Sequence, residues 1–190
     1  MKNKIIKISV ALMTFIVGIV IYWLISPYTY SDKIDLRITA QKSSVGVLEG
    51  VWVNAVLTNK GSKLLRLVLP GDGSEDAWRT PIIKWNVQVL DRPQPEHNSK
   101  SYRCGNIDAL KWGEVFHLYP NQIRAFDRQV DRSLMFQPGT YKISMVYIND
   151  PSKDWDGLPL GFHNLLEMCF VHHSTRCEVI SNEIIITISK

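Results

Sequence analysis

Apolar and polar residues alternate with a period of two along most of this chain. Ile34, Leu36 and Ile38 alternate with Asp35, Arg37 and Thr39, and Val51, Val53, Ala55 and Leu57 form one face of a segment whose other face carries Trp52, Asn54 and Thr58. Leu65, Leu67 and Leu69 follow the Asn59-Lys60-Gly61-Ser62 turn. Ile83, Trp85, Val87 and Val89 oppose Lys84, Asn86 and Gln88, Tyr141, Ile143, Met145 and Tyr147 oppose Lys142 and Ser144, and Ile184, Ile186 and Ile188 close the chain. This period predicts strands with one buried face. Gly and Pro punctuate them at Leu48-Glu49-Gly50, Pro70-Gly71-Asp72-Gly73-Ser74, Asp91-Arg92-Pro93-Gln94-Pro95, Tyr119-Pro120-Asn121 and Gln137-Pro138-Gly139, where preset or positive φ stops a strand. One or two further strands are expected within 115–130, with an ambiguous register, and a turn or two of helix within 158–170.

The start of the chain breaks this rule. After Lys2, Lys4 and Lys7, residues 8–25 carry no charge. Eighteen helical residues reach roughly 27 Å, close to the hydrocarbon thickness of a bilayer. Lysines precede the run, Asp32, Lys33 and Asp35 follow it, and Tyr22, Trp23, Tyr28 and Tyr30 cluster at its end. The expectation is a single-pass signal-anchor with the N-terminus cytoplasmic and the C-terminal domain extracytoplasmic, periplasmic or extracellular. A cleaved secretory signal has a shorter apolar region and a small-residue site, which Thr29-Tyr30-Ser31 matches poorly. A buried globular helix is the third reading. The expected organisation is a basic stub over 1–7, a transmembrane segment over 8–26, a linker over 27–33 and one β domain over 34–190. Each strand has one apolar face to bury, so seven or so strands imply two antiparallel sheets packed face to face.

Phe136-Gln137-Pro138-Gly139-Thr140-Tyr141-Lys142-Ile143 resembles the corner and penultimate strand of immunoglobulin-like and fibronectin type III-like domains. The resemblance implies that Tyr141 is a tyrosine-corner residue with its hydroxyl bonded to nearby backbone, and that Trp85 is the core tryptophan of a middle strand. The segment from Ser181 to Ile186 is similar to the final strand of such modules. The usual inter-sheet cysteine pair is absent. The fold class expected is therefore an all-β, immunoglobulin-like antiparallel β-sandwich behind a transmembrane helix, an architecture that implies no activity.

Charge changes the picture little. Three of the 22 basic residues precede the apolar run, leaving 19 against 18 acidic residues, a net charge near +1 after it. Basic residues are scattered rather than striped, so no nucleic-acid partner is expected. Cys104, Cys169 and Cys177 allow at most one intrachain bridge, and Cys169–Cys177 is the preferred pair because it closes a short loop.

That loop also carries His172 and His173, and with Cys104 or His163 it offers thiolates and imidazoles for zinc or copper. Paired Cys-x2-Cys or His-x3-His spacing is missing, and a disulfide would consume both sulfurs, so a bridged loop is preferred. The acidic loop at 150–157 lacks the bidentate glutamate of a calcium loop, and a solvated turn is preferred there and at 72–76. No Gly-x-Ser-x-Gly or His-Glu-x-x-His frame occurs. The expectation is a noncatalytic, membrane-tethered sandwich that needs no cofactor or metal and binds a protein or envelope partner. Loops at the ends of a rigid sandwich are its natural binding surface, with Trp78, Trp155, Leu160 and Phe162 as apolar contacts. An inhibitor of an extracytoplasmic peptidase is the alternative, and a metal-binding or enzymatic envelope protein the third.

Overall fold

Ten strands are seen in a computed structural model that describes residues 2–25, 31–71, 82–93, 114–135, 137–151 and 174–190. They are β1 (Ile34–Ala40), β2 (Ser44–Gly46), β3 (Trp52–Asn59), β4 (Leu65–Val68), β5 (Ile82–Val89), β6 (Val115–Leu118), β7 (Ile123–Gln129), β8 (Gly139–Asn149), β9 (Cys177–Ile180) and β10 (Ile184–Ser189), preceded by helix α1 (Lys2–Ile25). The first sheet has the order β1-β3-β7. The second has the order β2-β10-β8-β5, with β9 also paired to β8, and β4 and β6 form a two-stranded ribbon. All pairings are antiparallel except that of β2 with β10. The fold is mostly β, in antiparallel sheets arranged as a sandwich.

The alternating residues fill its interior. Ile34, Leu36, Ile38, Val51, Val53, Ala55, Leu57, Leu65, Leu67, Ile83, Tyr141, Ile143, Met145, Tyr147, Ile186 and Ile188 are all buried. They fall into two apolar clusters, and the partly buried Trp85 packs against both. On β7 the inward positions are different. Arg124, Phe126 and Arg128 stand opposite the buried Leu57, Ala55 and Val53. Arg124 lies over the Phe116 ring at 5.4 Å and Arg128 over the Phe126 ring at 5.7 Å, so arginine stems cover apolar surface along this edge. That is why the period is illegible over 115–130, and inward charge also discourages edge-to-edge pairing.

β8 organises the second sheet. It pairs with β5 along one side, and along the other with β10 at its start and β9 at its end. Between those two strands Ser181 keeps the ladder bonded: its N–H donates to the Met145 carbonyl at 2.9 Å and its hydroxyl accepts the Met145 N–H at 2.9 Å. The break frees Asn182 to reach across the sandwich. Its amide accepts the Ile38 N–H at 2.8 Å and donates to the Ile38 carbonyl at 3.1 Å, capping the outer edge of β1 with a side chain.

Two turns behave as their composition demands. Asn59 Oδ1 accepts the Gly61 N–H at 2.9 Å, an Asx turn after β3. Between β6 and β7, Gln122 N–H donates to the Tyr119 carbonyl at 3.0 Å, and Asn121 takes a φ of 62° behind Pro120, the pattern of a type II turn. Tyr141 also meets its expectation: its hydroxyl donates to the Gln137 carbonyl at 2.7 Å and accepts from Arg92 Nη2 at 2.7 Å.

The transmembrane expectation is corrected. The run after Lys7 is helical within α1, yet among the described residues no helix is long and apolar enough to cross a membrane. A span needs about 18 or more consecutive apolar residues. The signal-anchor, the single-pass membrane partner and the cytoplasmic-to-extracytoplasmic orientation fall with it.

Candidate functional site

The expected contact residues Trp78, Trp155, Leu160 and Phe162 lie outside the described residues, as do Cys104, His163, Cys169, His172 and His173. The preferred Cys169–Cys177 bridge therefore has one described member. Cys177 is a buried free thiol at the start of β9, opposite Asn149. Among the described residues no three His, Cys, Asp or Glu side chains gather closely enough to hold a metal ion.

Cys177 belongs to a polar junction where β4, β8 and β9 meet. In the β4–β6 ribbon, Arg66 and Val68 point their backbone groups away from β6, where Thr175 and Tyr147 take them. Thr175 Oγ1 accepts the Arg66 N–H at 3.0 Å, and Thr175 N–H donates to the Arg66 carbonyl at 2.6 Å. The Tyr147 hydroxyl accepts the Val68 N–H at 3.3 Å and donates to the Val68 carbonyl at 2.6 Å. Asn149 Nδ2 donates to Ser174 Oγ at 2.9 Å and to the Thr175 carbonyl at 2.8 Å, and Arg176 pairs with the buried Asp150 at 3.2 Å. Burial pushes the Cys177 thiol up to about 12, against a bond from the Asn149 backbone N–H. Burial first, and then the nearby thiol, hold the Tyr147 hydroxyl well above its ordinary value, while the Val68 bond opposes them. A thiol so raised is a poor nucleophile and a poor ligand at neutral pH. The junction is a structural stitch.

The surface around Trp52 is built differently. Trp52 opens β3, the middle strand of the first sheet, on the face turned away from the core, and it is 45% exposed. Its cross-strand partner is Gln129, which shares that outer face. The Gln129 side chain lies over Gly50, where a Cβ would overlap its amide, so glycine is what lets the two approach. A cavity opens on either side of the indole. One, of about 470 Å³, is lined by Gln41, Lys42, Val45, Glu49, Gly50 and Trp52. The other, of about 350 Å³, runs from Trp52 and Gln129 past Arg128, Pro70 and Gly71 to Ile83 and Trp85 on the second sheet.

The Trp85 Nε1–H is buried with no hydrogen-bond acceptor among the described residues. Lys42 and Glu49 pair with each other at 3.4 Å across the rim of the first cavity. Arg128 is turned onto its own strand, with Nη1 donating to the Asp127 carbonyl at 3.3 Å. Sequence alternation places Trp52 on the outward face of its strand. A large aromatic residue at a solvent-facing position is the one signal that marks the site in advance.

No protein-family model matches the chain, and no curated protein is significantly similar to it.

Proposed function

We propose that this chain is an immunoglobulin-like binding module whose ligand seat is the Trp52 surface. The sheet orders β1-β3-β7 and β2-β10-β8-β5, the hydroxyl of Tyr141 bonded back at the entrance to β8, and Trp85 on β5 support the immunoglobulin-like reading. The observation that carries the binding reading is the exposed Trp52 indole set between two cavities, with a buried indole N–H that has no partner among the described residues at the far wall of one. Tryptophan is enriched among residues that dominate binding energy, and an unmatched buried donor costs free energy until a ligand supplies an acceptor. A rigid sandwich holds these groups at fixed separation, which lowers the entropy lost on binding.

The full chain, immobilised as wild type, Trp52→Ala and Tyr119→Ala, tests this against protein, glycan and lipid fractions of a cell extract. Tyr119 is 54% exposed in the β6–β7 turn and serves as an aromatic control away from the seat. Material retained by wild type and Tyr119→Ala but lost from Trp52→Ala is the expected result. Retention by all three variants would sink the seat.

A further inference from the structure

We infer that the ligand of the Trp52 surface is a neutral oligosaccharide, with one pyranose ring stacked on the exposed indole and its neighbours in the flanking cavities. This rests on the reading of Trp52 as the ligand seat and adds the chemical class.

A pyranose ring presents an apolar C–H face and a rim of hydroxyls that both donate and accept. The site presents the complement. The Trp52 indole offers a flat apolar platform, and its exposure leaves that platform uncovered. Gln41 lines one cavity and Gln129 the other, and each amide carries both donors and an acceptor, matching the dual demand of a hydroxyl. The buried Trp85 Nε1–H is a donor without an acceptor among the described residues, suited to a hydroxyl or ring oxygen entering the second cavity. Both cavities fall in the size range of small-ligand sites, so each accommodates a sugar residue.

Charge points to an uncharged ligand. The Lys42 and Glu49 side chains at the rim neutralise each other. Arg128 stacks on Phe126 and donates to the Asp127 carbonyl, engaged with its own strand. An extended peptide is disfavoured by the sheet itself. β3 is flanked by β1 and β7, and the Trp52 carbonyl already accepts the Gln41 N–H at 3.0 Å, so no open ladder meets a peptide at the platform.

The geometry predicts a dependence on chain length, because a ring on Trp52 places its neighbours over the two cavities. Calorimetric titration of the full chain with neutral hexasaccharides of the cellulose, starch, chitin, xylan and mannan types, and with oligoproline as the peptide probe, tests this. One hexasaccharide should bind, and the matching disaccharide should bind at least about tenfold more weakly. Trp52→Ala should lose at least about tenfold in affinity, Trp52→Phe should keep part of it, and Gln129→Ala should lose several-fold. Unchanged thermal midpoints would show that the variants remain folded. Sugar binding that survives Trp52→Ala would overturn the site. Failure of every hexasaccharide overturns the sugar class. If oligoproline then binds and is lost in Trp52→Ala, the seat stands with a peptide ligand, and if nothing in the set binds, only the extract experiment above still bears on the seat.

Discussion

The junction of β4, β8 and β9 and the surface at Trp52 both set an aromatic side chain among polar groups, and they treat those groups in opposite ways. At the junction Tyr147 and Thr175 act as substitute strand partners for β4, and Asn149 ties β8 to the segment that leads into β9. Asn149 Oδ1 is the one side-chain atom there that lacks a partner among the described residues. At Trp52 the ring is exposed, cavities flank it, and the Trp85 N–H is unanswered among the described residues. Polar groups matched inside the protein contribute stability. Buried groups left unmatched cost stability until something binds, so stability and recognition are assigned to different parts of one sandwich.

The largest expected difference is in the response to alkali. The Cys177 thiol is raised from 9.0 to about 12 in the folded state. Below 9 both states keep the proton and the thiol leaves stability independent of pH. From there upward the unfolded state ionises first, so stability falls with rising pH until the folded thiol also titrates near 12. The loss attributable to the thiol approaches about 4 kcal/mol across that window. The raised Tyr147 hydroxyl adds a loss of the same sign at its alkaline end. Denaturant unfolding of wild type and Cys177→Ala between pH 8 and pH 12 checks this. The variant should show a shallower fall, and equal slopes would break the stitched view of the junction.

The two tyrosines of β8 sharpen the comparison at neutral pH. Both rings are buried, Tyr141 at 2% exposure and Tyr147 at 0%. Tyr147→Phe leaves a donor and an acceptor of the buried Val68 backbone unmatched, which should cost about 3 kcal/mol. Tyr141→Phe removes a local bond to Gln137 and the contact with Arg92, which should cost about 1–2 kcal/mol. Midpoints in the reverse order would mean that the corner, and not the junction, holds the fold.

The smallest effect belongs to Trp52. Truncation of an exposed ring on an outer sheet face should cost about 0.5 kcal/mol in Trp52→Ala, within the range of ordinary surface substitutions. A loss near that of Tyr147→Phe would show that the ring supports its own sheet.

Much of the interior was legible because strand alternation is local: a residue's face follows from its parity, and Ile34 to Ile38, Val51 to Leu57 and Tyr141 to Tyr147 all obey it. β2, with three residues, and β9, with four, are too short to show a period, and each exists because a longer strand supplies its partner groups. β7 hides its register because arginine stems occupy inward positions. The chosen contact residues came from loop composition, and Trp78, Trp155, Leu160 and Phe162 fall outside the described residues. Trp52 was readable as an outward residue, but the cavities beside it were not, since one is shared with Ile83 and Trp85, about thirty residues away along the chain. The apolar run after Lys7 set a helix, and hydropathy alone carried that helix into a membrane that the structure does not support.

By itself the sequence determined the strands that alternate cleanly, β1, β3, β4, β5, β8 and β10, with most of their buried faces, the turns at Asn59 and Asn121 and the corner at Tyr141, all consequences of side-chain parity and backbone sterics within a few residues. Only the tertiary structure decided that Asn182 caps β1 across the sandwich, that Tyr147 and Thr175 complete β4, and that Trp52 and Trp85 share a cavity. Those contacts join residues tens of positions apart, and their partners are chosen by how the sheets stack, which no local pattern encodes.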